Sequence, residues 1–514
     1  MMTAPQTGPD SAATTTTDTD TDPAVQTWDV IVIGAGPPGE NAAQYAIQGS
    51  DRTAVLIEAE LVGGECSFWA CMPSKGLLRP VDLAHQAAKV PGLTLGPIDV
   101  RAVLAHRDEI THNRDDTSQV DWATSVGIDV VRGRARLDGP RQVVVQTNDG
   151  STRTLRARTA VVLATGTTAA VPPTDGLAAA KPWTSRDVTN LTEVPKRVVI
   201  IGGGVVACEA ATWLNGLGAQ VTILQRGDAL LATNEPFAGD MVAEQLRGHG
   251  VTIRFGAKVT AVRRPGVADT GYGRIHGGPV EVDFDIDDGG ETITADEIVV
   301  ATGRVPASKD IGLDTVGLAD DGLYRGGYVA VDDHLTVTGI DQAGDEWLYV
   351  IGDLNGRALL THMGKYQARI CGAVISARAN GSSVDGAETT DRADHGGVTQ
   401  VTFTDPQVAS VGLTEAKARE AGIVVRTVEY DMANVAGASV QQTDYKGRAQ
   451  IVVDETNKVI VGATFVGPEV GELLHSAVIA VVGRVPLDTL WHAVPAYPTV
   501  SEVWLRLLET YRTT

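Results

Sequence analysis

Positive charge is scarce in this chain: 42 Lys and Arg stand against 64 Asp and Glu across 514 residues, a formal net charge of −22 at pH 7. That balance disfavours nucleic acid and anionic membrane surfaces as partners. Cysteine is scarcer still, with four residues. So few cannot build the disulfide framework of a secreted scaffold, so any bridge is expected to be catalytic and the compartment reducing. No apolar run reaches the roughly 18 residues that a membrane-spanning helix needs. Met1 to Pro23 is rich in Thr, Asp, Ala and Pro and lacks the basic start and apolar core of a signal peptide. It is expected to be a disordered tail, which leaves the cytoplasm as the default location. The length exceeds what one core supports and suggests three or four domains.

Two of the four cysteines fall in one stretch, Gly63-Gly64-Glu65-Cys66-Ser67-Phe68-Trp69-Ala70-Cys71-Met72-Pro73-Ser74-Lys75. It follows the apolar strand Val55-Leu56-Ile57-Glu58 and precedes Gly76-Leu77-Leu78-Arg79, so the cysteines sit where a loop becomes a helix. On a regular helix, residues five apart have Cα atoms roughly 8–9 Å from each other, too far for a disulfide. A bridge therefore requires an irregular first turn. A thiolate released at a helix N-terminus is stabilised by free backbone N–H groups, which lowers its pKa and makes it a nucleophile or electron donor. Two readings stay open on spacing alone: a reducible pair, or two buried thiols that never meet. Cys208 and Cys371 lie in apolar helical contexts and are expected to be inert core thiols.

Trp28-Asp29-Val30-Ile31-Val32-Ile33 predicts a strand running directly into Gly34-Ala35-Gly36-Pro37-Pro38-Gly39 and then a helix. This is G-x-G-x-x-G in its required context: Gly34 for the tight turn, Gly36 for close approach of a pyrophosphate, Gly39 for helix–strand packing. Glu58, 24 residues after Gly34, ends the next strand, where a carboxylate accepts both hydroxyls of an adenosine ribose. A second copy starts at Arg197-Val198-Val199-Ile200-Ile201 and continues through Gly202-Gly203-Gly204-Val205-Val206-Ala207-Cys208-Glu209. Two such folds imply two dinucleotides. The second copy's next strand ends in Gln225-Arg226, with no carboxylate to repel a 2′-phosphate, which favours NADPH over NADH. The alternative is that Arg226 points to solvent and both coenzymes serve.

Similar apolar strands close the two copies, one ending in Ala164-Thr165-Gly166 and the other in Ala301-Thr302-Gly303-Arg304. The Gly- and Asp-rich stretch from Arg263 to Thr292 predicts hairpins inserted in the second copy. Tyr349-Val350-Ile351-Gly352-Asp353 is a buried strand ending in an acid. A polar stretch from Ala379 to Gly397 marks a boundary, beyond which strands and one apolar-faced helix predict an α+β unit.

These pieces in this order resemble the flavoprotein disulfide reductases, also called class I pyridine nucleotide-disulfide oxidoreductases, with dihydrolipoamide dehydrogenase and mercuric reductase as nearest members. The resemblance covers nearly everything after residue 26 and is most specific at Gly63-Gly64-Glu65-Cys66 through Cys71-Met72-Pro73-Ser74-Lys75. Phe403-Thr404-Asp405-Pro406 with Ala409-Ser410-Val411-Gly412-Leu413-Thr414-Glu415 looks like the opening of the family's dimerisation domain, and Gly467-Pro468-Glu469 matches a turn in that domain. The resemblance implies an α/β fold with two Rossmann-like dinucleotide-binding domains, one for FAD and one for NAD(P), plus a C-terminal α+β dimerisation domain. Residues 26–190 and 316–392 would form the FAD domain, 191–315 the NAD(P) domain and 393–514 the dimerisation domain, after a tail over 1–25.

It further implies a homodimeric enzyme with FAD and either NADPH or NADH, whose site is completed by the other subunit. Electrons would pass from nicotinamide to flavin to a Cys66–Cys71 dithiol and on to a small-molecule, disulfide-type acceptor. Cys66 would be the interchange thiol and Cys71 the thiol against the flavin. Lys75 would pair with Glu209 near the flavin, and Asp353 would bond the ribityl chain. Cofactor contacts are expected at Gly34, Gly36, Gly39, Glu58, Gly64, Lys75, Thr165, Gly166, Gly202, Gly204, Ala207, Gln225, Arg226, Gly303 and Asp353. No resident metal is expected.

The chain departs from the family at Tyr497-Pro498-Thr499-Val500-Ser501-Glu502, where disulfide-reducing members carry H-P-T-x-S-E. A phenol donates a proton but is a poor base at neutral pH, so dithiol oxidation should suffer. Tyr497 is expected to sit at the dimer interface, held by main chain or by Glu502. The replacement opens a quinone- or metal-ion-reductase alternative, although Leu505 to Thr514 lacks the paired cysteines that mercuric reductases use, and no N-terminal C-x-x-C occurs. A non-catalytic flavin-binding subunit is the alternative of another class. His475 and His492 lie nearby and are expected to be solvent-facing or capping residues, not a replacement base.

Overall fold

The computed structural model describes residues 25–286, 289–318, 323 and 325–513. The stretch expected to be a tail lies outside them, except Val25, which opens the first strand.

The first unit is built on a parallel sheet in the spatial order Ile128–Leu137, Ala54–Glu58, Val25–Ile33, Thr152–Leu163, Leu348–Val350. Its central strands are apolar on both faces, as a sheet covered by helices on both sides demands. Gln142–Thr147 bridges the ends of two long strands as an antiparallel meander. The helices Pro37–Ile47 and Thr361–Ala379 cover one face so closely that a Cβ on Gly372 would lie 2.4 Å from Tyr45 Cβ. The strand Leu348–Val350, far along the chain, thus returns to the sheet that Val25–Ile33 began.

The second unit holds four parallel strands in the order Glu297–Val300, Arg197–Ile201, Gln220–Gln225, Thr252–Phe255. The stretch expected to form hairpins does so, pairing Lys258–Arg263, Val280–Ile286 and Gly289–Ala295 antiparallel. The third unit is one antiparallel sheet in the order Thr399–Thr402, Gln407–Gly412, Val459–Gly467, Arg448–Asp454, Val425–Asp431, with the helices Val470–Val482 and Val503–Thr513 against it. The fold is therefore two Rossmann-like domains and an α+β domain. Cys208 and Cys371 are wholly buried, and burial raises both thiol pKa values. Among the described residues, no helix is long and apolar enough to cross a membrane.

All three units meet at a trio that the sequence reading did not anticipate. His85, from the helix Cys71–Ala87, lies with Nδ1 2.9 Å from Asp405 Oδ2, and His249 Nε2 lies 3.5 Å from the same oxygen. The two imidazoles stack with centroids 4.0 Å apart and planes 8° from parallel. Planes so nearly parallel do not direct both ring lone pairs at a common point, so the trio acts as a hydrogen-bonded packing junction. Burial raises the Asp405 pKa, but the bonds to His249 and His85 outweigh it and hold the carboxyl below its ordinary range. A depressed carboxyl contributes stability that is present above the unfolded pKa of about 3.9 and is lost as pH falls through the folded value. Asp405→Asn should therefore be less stable at neutral pH by about 1–2 kcal/mol and unfold at a lower temperature. In thermal melts run at successively lower pH, the gap from the parent protein should begin to narrow below about pH 3.9 and close only as pH falls through the depressed folded value.

Candidate active site

The first nucleotide loop leaves the buried end of Val25–Ile33 and enters the helix Pro37–Ile47. Gly34 has φ +98°, and a Cβ there would lie 2.4 Å from the Ala164 carbonyl oxygen; one on Gly39 would lie 1.9 Å from the Gly34 oxygen. Only glycine fits either place. Gly36 is different: its nearest obstacle is Pro38 Cδ at 3.9 Å, so the backbone there is open to an approaching phosphate at a helix N-terminus. A cavity of about 620 Å³ runs from this turn past Glu58, Gly64, Cys66, Thr165, Gly166 and Asp353. Glu58 is fixed at its strand end by Ala35 N–H and Glu60 N–H, each 2.8 Å from a carboxylate oxygen. Burial raises its pKa, against the pull of those bonds. An open turn, a fixed carboxylate and an elongated cavity together fit a dinucleotide of the FAD type.

Asp353 faces the same cavity. Thr167 Oγ1 donates to it at 2.6 Å, and Arg304 Nε lies 3.7 Å away. Burial pushes the Asp353 pKa up, while Thr167 and Arg304 oppose that rise. Arg304 was a residue that sequence reasoning placed in a strand and gave no task. Its only local signal was its position directly after Gly303.

The cysteine stretch folds with the irregularity a close pair needs. Gly63, at φ +111°, starts a short helix Gly64–Phe68; Trp69 and Ala70 break it, and Cys71 opens the helix Cys71–Ala87. The break is braced from Ser185–Thr189 and the residue after it. Thr189 Oγ1 donates to the Trp69 carbonyl at 2.9 Å and Asn190 Nδ2 to the Phe68 carbonyl at 3.3 Å. Cys66 and Cys71 are both thiols of intermediate burial. Their side chains interact, and that interaction moves the two pKa values apart, raising Cys66 and lowering Cys71 to about 6 despite burial. Thr361 Oγ1, 3.4 Å from Cys71 Sγ, and the Lys75 charge lower it further. One thiol of the pair is thus prepared as a thiolate and the other as its proton donor.

Lys75 Nζ lies one helical turn beyond Cys71 and contacts Glu209 Oε2 at 2.9 Å and Oε1 at 3.2 Å. Glu209 Oε1 also accepts from Phe403 N–H at 2.9 Å, and the Lys75 ammonium stands 4.6 Å from the Phe403 ring centroid. The second nucleotide loop repeats the first: Gly202 has φ +119°, with Gly204 and Ala207 following at the start of the helix Val205–Gly216. Gln225 packs on Gly203 and donates Nε2 to the Ala229 carbonyl at 3.0 Å, so its amide is engaged within its own loop. Arg226 is exposed beside it.

The C-terminal segment departs from expectation at Glu502. Tyr497 is 77% exposed, and Glu502 does not hold it. Glu502 accepts from Arg506 Nη2 at 2.6 Å and from Ala436 N–H at 3.3 Å. Two partners compete for it: Arg506 stands one helical turn further on, and Ala436 N–H, at the start of Ala436–Gln441, has no acceptor within its own helix. His475 and His492 are exposed.

The pyridine nucleotide-disulphide oxidoreductase family model matches residues 28–368, and its dimerisation-domain model matches residues 398–507. The chain is 30% identical to the dihydrolipoyl dehydrogenase of Chlamydia muridarum over 93% of this chain and 96% of that protein. It is 29% identical to the mercuric reductase of Streptomyces lividans over 94% of this chain and 96% of that protein. In fold it is similar to the HOCl-induced flavoprotein disulfide reductase RclA from Escherichia coli in its Cu(II) complex, with TM-score 0.77 at 22% identity, covering 94% and 99% of the two chains. LpdA from Mycobacterium tuberculosis gives TM-score 0.78 at 23% identity with the same coverage.

Lys75→Met removes the ammonium that favours the Cys71 thiolate and leaves the Glu209 charge unpaired, and both changes disfavour that thiolate. Its pKa should rise from about 6, to roughly 7 or above. Ultraviolet thiolate absorbance of the reduced protein against pH measures this, and an unmoved midpoint would remove Lys75 from the thiol's electrostatics.

Proposed function

This chain belongs to the pyridine nucleotide-disulphide oxidoreductase family, NAD(P)H-dependent flavoprotein oxidoreductases that bind FAD, and from that premise we propose that it passes electrons through a Cys66–Cys71 dithiol to a disulfide-type small molecule. The observation that carries the reading is the thiol pair itself. Cys66 lines the cofactor cavity, and Cys71 is lowered to about 6 by its interaction with Cys66, with Thr361 and Lys75 adding to the effect. FAD, when bound, would supply two-electron transfer between the nicotinamide and the oxidised Cys66–Cys71 pair. The balance is NAD(P)H plus a proton plus an oxidised disulfide giving NAD(P)⁺ and two thiols. Cys66, passing its proton to the Cys71 thiolate, attacks the substrate disulfide and one substrate thiolate leaves; Cys71 then closes on Cys66, its proton leaving with the second substrate sulfur.

The roles follow from placement. Lys75 holds positive charge beside the thiolate and is itself oriented by Glu209. Glu58, Gly36, Gly64, Thr165, Gly166 and Asp353 would seat FAD; Gly202, Gly204, Ala207 and Gly303 would seat the nicotinamide coenzyme, with Arg226 as the group for a 2′-phosphate. A second copy of the chain would complete the site. In support, Val440, Ile479, Val482 and Val494 join Tyr497 as exposed apolar residues on the unit that matches the dimerisation domain.

A second reading is favoured by one residue. By resemblance Tyr497 takes the place of the imidazole that protonates a departing thiolate in disulfide-reducing members, and Glu502 is committed to Arg506 and Ala436. A quinone or a soft metal ion such as Hg(II), which needs no such base, suits that arrangement better than a dithiol does.

Steady-state turnover with NADPH and NADH against lipoamide, a glutathione-type disulfide, a quinone and Hg(II) separates the readings. Disulfide turnover supports the first; quinone or Hg(II) turnover alone supports the second; a flavin that neither coenzyme reduces overturns both. Tyr497→Phe should lower acceptor reduction by about 10²-fold or more if the phenol donates a proton, while leaving flavin reduction by NAD(P)H intact. Arg226→Ala should raise KM for NADPH about tenfold, roughly 1.4 kcal/mol, and leave NADH nearly unchanged. Equal losses for both coenzymes would take Arg226 out of the phosphate site.

A further inference from the structure

The hairpin insert of the second nucleotide domain does more than decorate its edge. Between Lys258–Arg263 and Val280–Ile286 the chain makes an excursion whose tip reads Thr270-Gly271-Tyr272-Gly273-Arg274. Tyr272 is presented between two glycines in left-handed backbone, Gly271 at φ +87° and Gly273 at φ +67°. A Cβ on Gly273 would lie 2.0 Å from the Asn190 carbonyl oxygen, so the tip seats only with glycine there.

The tip is fastened to the segment that braces the cysteine break. Trp183 Nε1 donates to the Arg274 carbonyl at 3.0 Å, Thr192 N–H to the Gly273 carbonyl at 2.9 Å, and Gly273 N–H to Asp187 Oδ1 at 3.3 Å. The base of the excursion is anchored by the wholly buried Arg264–Glu297 pair, and Glu297 Oε2 accepts from His276 N–H at 3.2 Å. So fastened, the Tyr272 ring stands 5.4 Å from the Trp69 ring, tilted by 50°. Trp69 in turn has the Arg186 guanidinium 5.1 Å from its centroid, and Arg186 is held by Glu60 and Glu65. Tyr272, Trp69, Arg186, Glu60 and Glu65 all line the cavity that also contains Glu58, Cys66 and Asp353. Yet Tyr272 is 53% exposed, an aromatic ring fixed at considerable structural effort with half its surface left in water.

We propose that Tyr272, delivered by the nicotinamide-side domain, is a cofactor-holding residue that closes the outer wall of the FAD cavity against Trp69. The proposal rests on the reading of that cavity as the FAD site. A flat ligand lying in the cavity covers the exposed part of the ring, and aromatic contact adds to affinity beyond the area it buries. Because the ring comes from one domain and most of the cavity from another, bound FAD also ties the insert to the first domain.

The test uses holoprotein. Tyr272→Ala should release FAD faster and raise its dissociation constant about five- to tenfold, read by recovery of free-flavin fluorescence. Tyr272→Phe, which keeps the ring, should behave as the parent does. A structural role for the ring would lower the melting temperature of apoprotein, which Tyr272→Ala should leave unchanged. In hydrogen exchange, residues 266–279 of the parent should gain protection on FAD binding. Parent protein that binds FAD, with Tyr272→Ala binding it as tightly, overturns the proposal alone. Parent protein that does not bind FAD overturns the reading of the cavity as well.

Discussion

The Glu209 carboxylate is the constraint on which the rest of the site depends. It lies in the first turns of the helix that follows the second nucleotide loop, yet its oxygens serve Lys75 from the first domain and Phe403 N–H from the third. A carboxylate 6% exposed at its side chain would be destabilising without partners, and each domain supplies one. The consequence is positional. Lys75 sits one turn from Cys71 on the same helix, so whatever holds Lys75 also fixes the electrostatic surroundings of the thiolate. The trio of His85, His249 and Asp405 repeats this three-way docking further along that helix, which is thereby pinned to both other domains at two heights.

The cysteine stretch shows how local irregularity is maintained by distant contacts. A short helix and a long one separated by Trp69 and Ala70 leave carbonyls with no helical partner, and buried carbonyls must find donors. Thr189 and Asn190 provide them from more than a hundred residues away. The same segment, through Asp187 and the residues around it, carries the Tyr272 tip. One brace therefore serves the redox loop on one side and the cavity wall on the other, and a disturbance at either is felt at both.

The parts of this arrangement legible in the sequence were those encoded at short range. Gly34, Gly36 and Gly39 announce their turn because the steric demand lies within a few residues, and the break between Cys66 and Cys71 follows from helix geometry. The Lys75–Glu209 pair was legible only through resemblance, since nothing local to either residue names the other. Thr167, Arg304, Arg186 and Asp405 gave no usable signal: their roles arise from chain segments brought together by the fold. Glu502 misled for a related reason. Its motif suggested a partner at Tyr497, whereas Arg506 on the next turn and Ala436 N–H were nearer competitors. The Gly-rich insert was recognised as hairpins, but that its tip reaches the first domain's cavity depends on Asn190 and Trp183, which no periodicity connects to it.

Under the proposed function, the two halves of the chemistry would therefore be held by different means. Reduction of the thiol pair depends on groups within one chain: the nucleotide turns, Glu58, Asp353, and the Lys75–Glu209 bond, all set into buried or half-buried frameworks. Delivery to an acceptor would depend on a surface where Tyr497 is 77% exposed among other exposed apolar residues of the third domain. Substitution in the first set disturbs domain docking as well as chemistry, and so is constrained by stability. Substitution at the second changes what is presented to an acceptor while leaving the fold intact. A chain in which an imidazole position has become Tyr, with every element of the reductive framework kept, is what that asymmetry allows: the acceptor can change while the route by which electrons reach Cys66 stays the same.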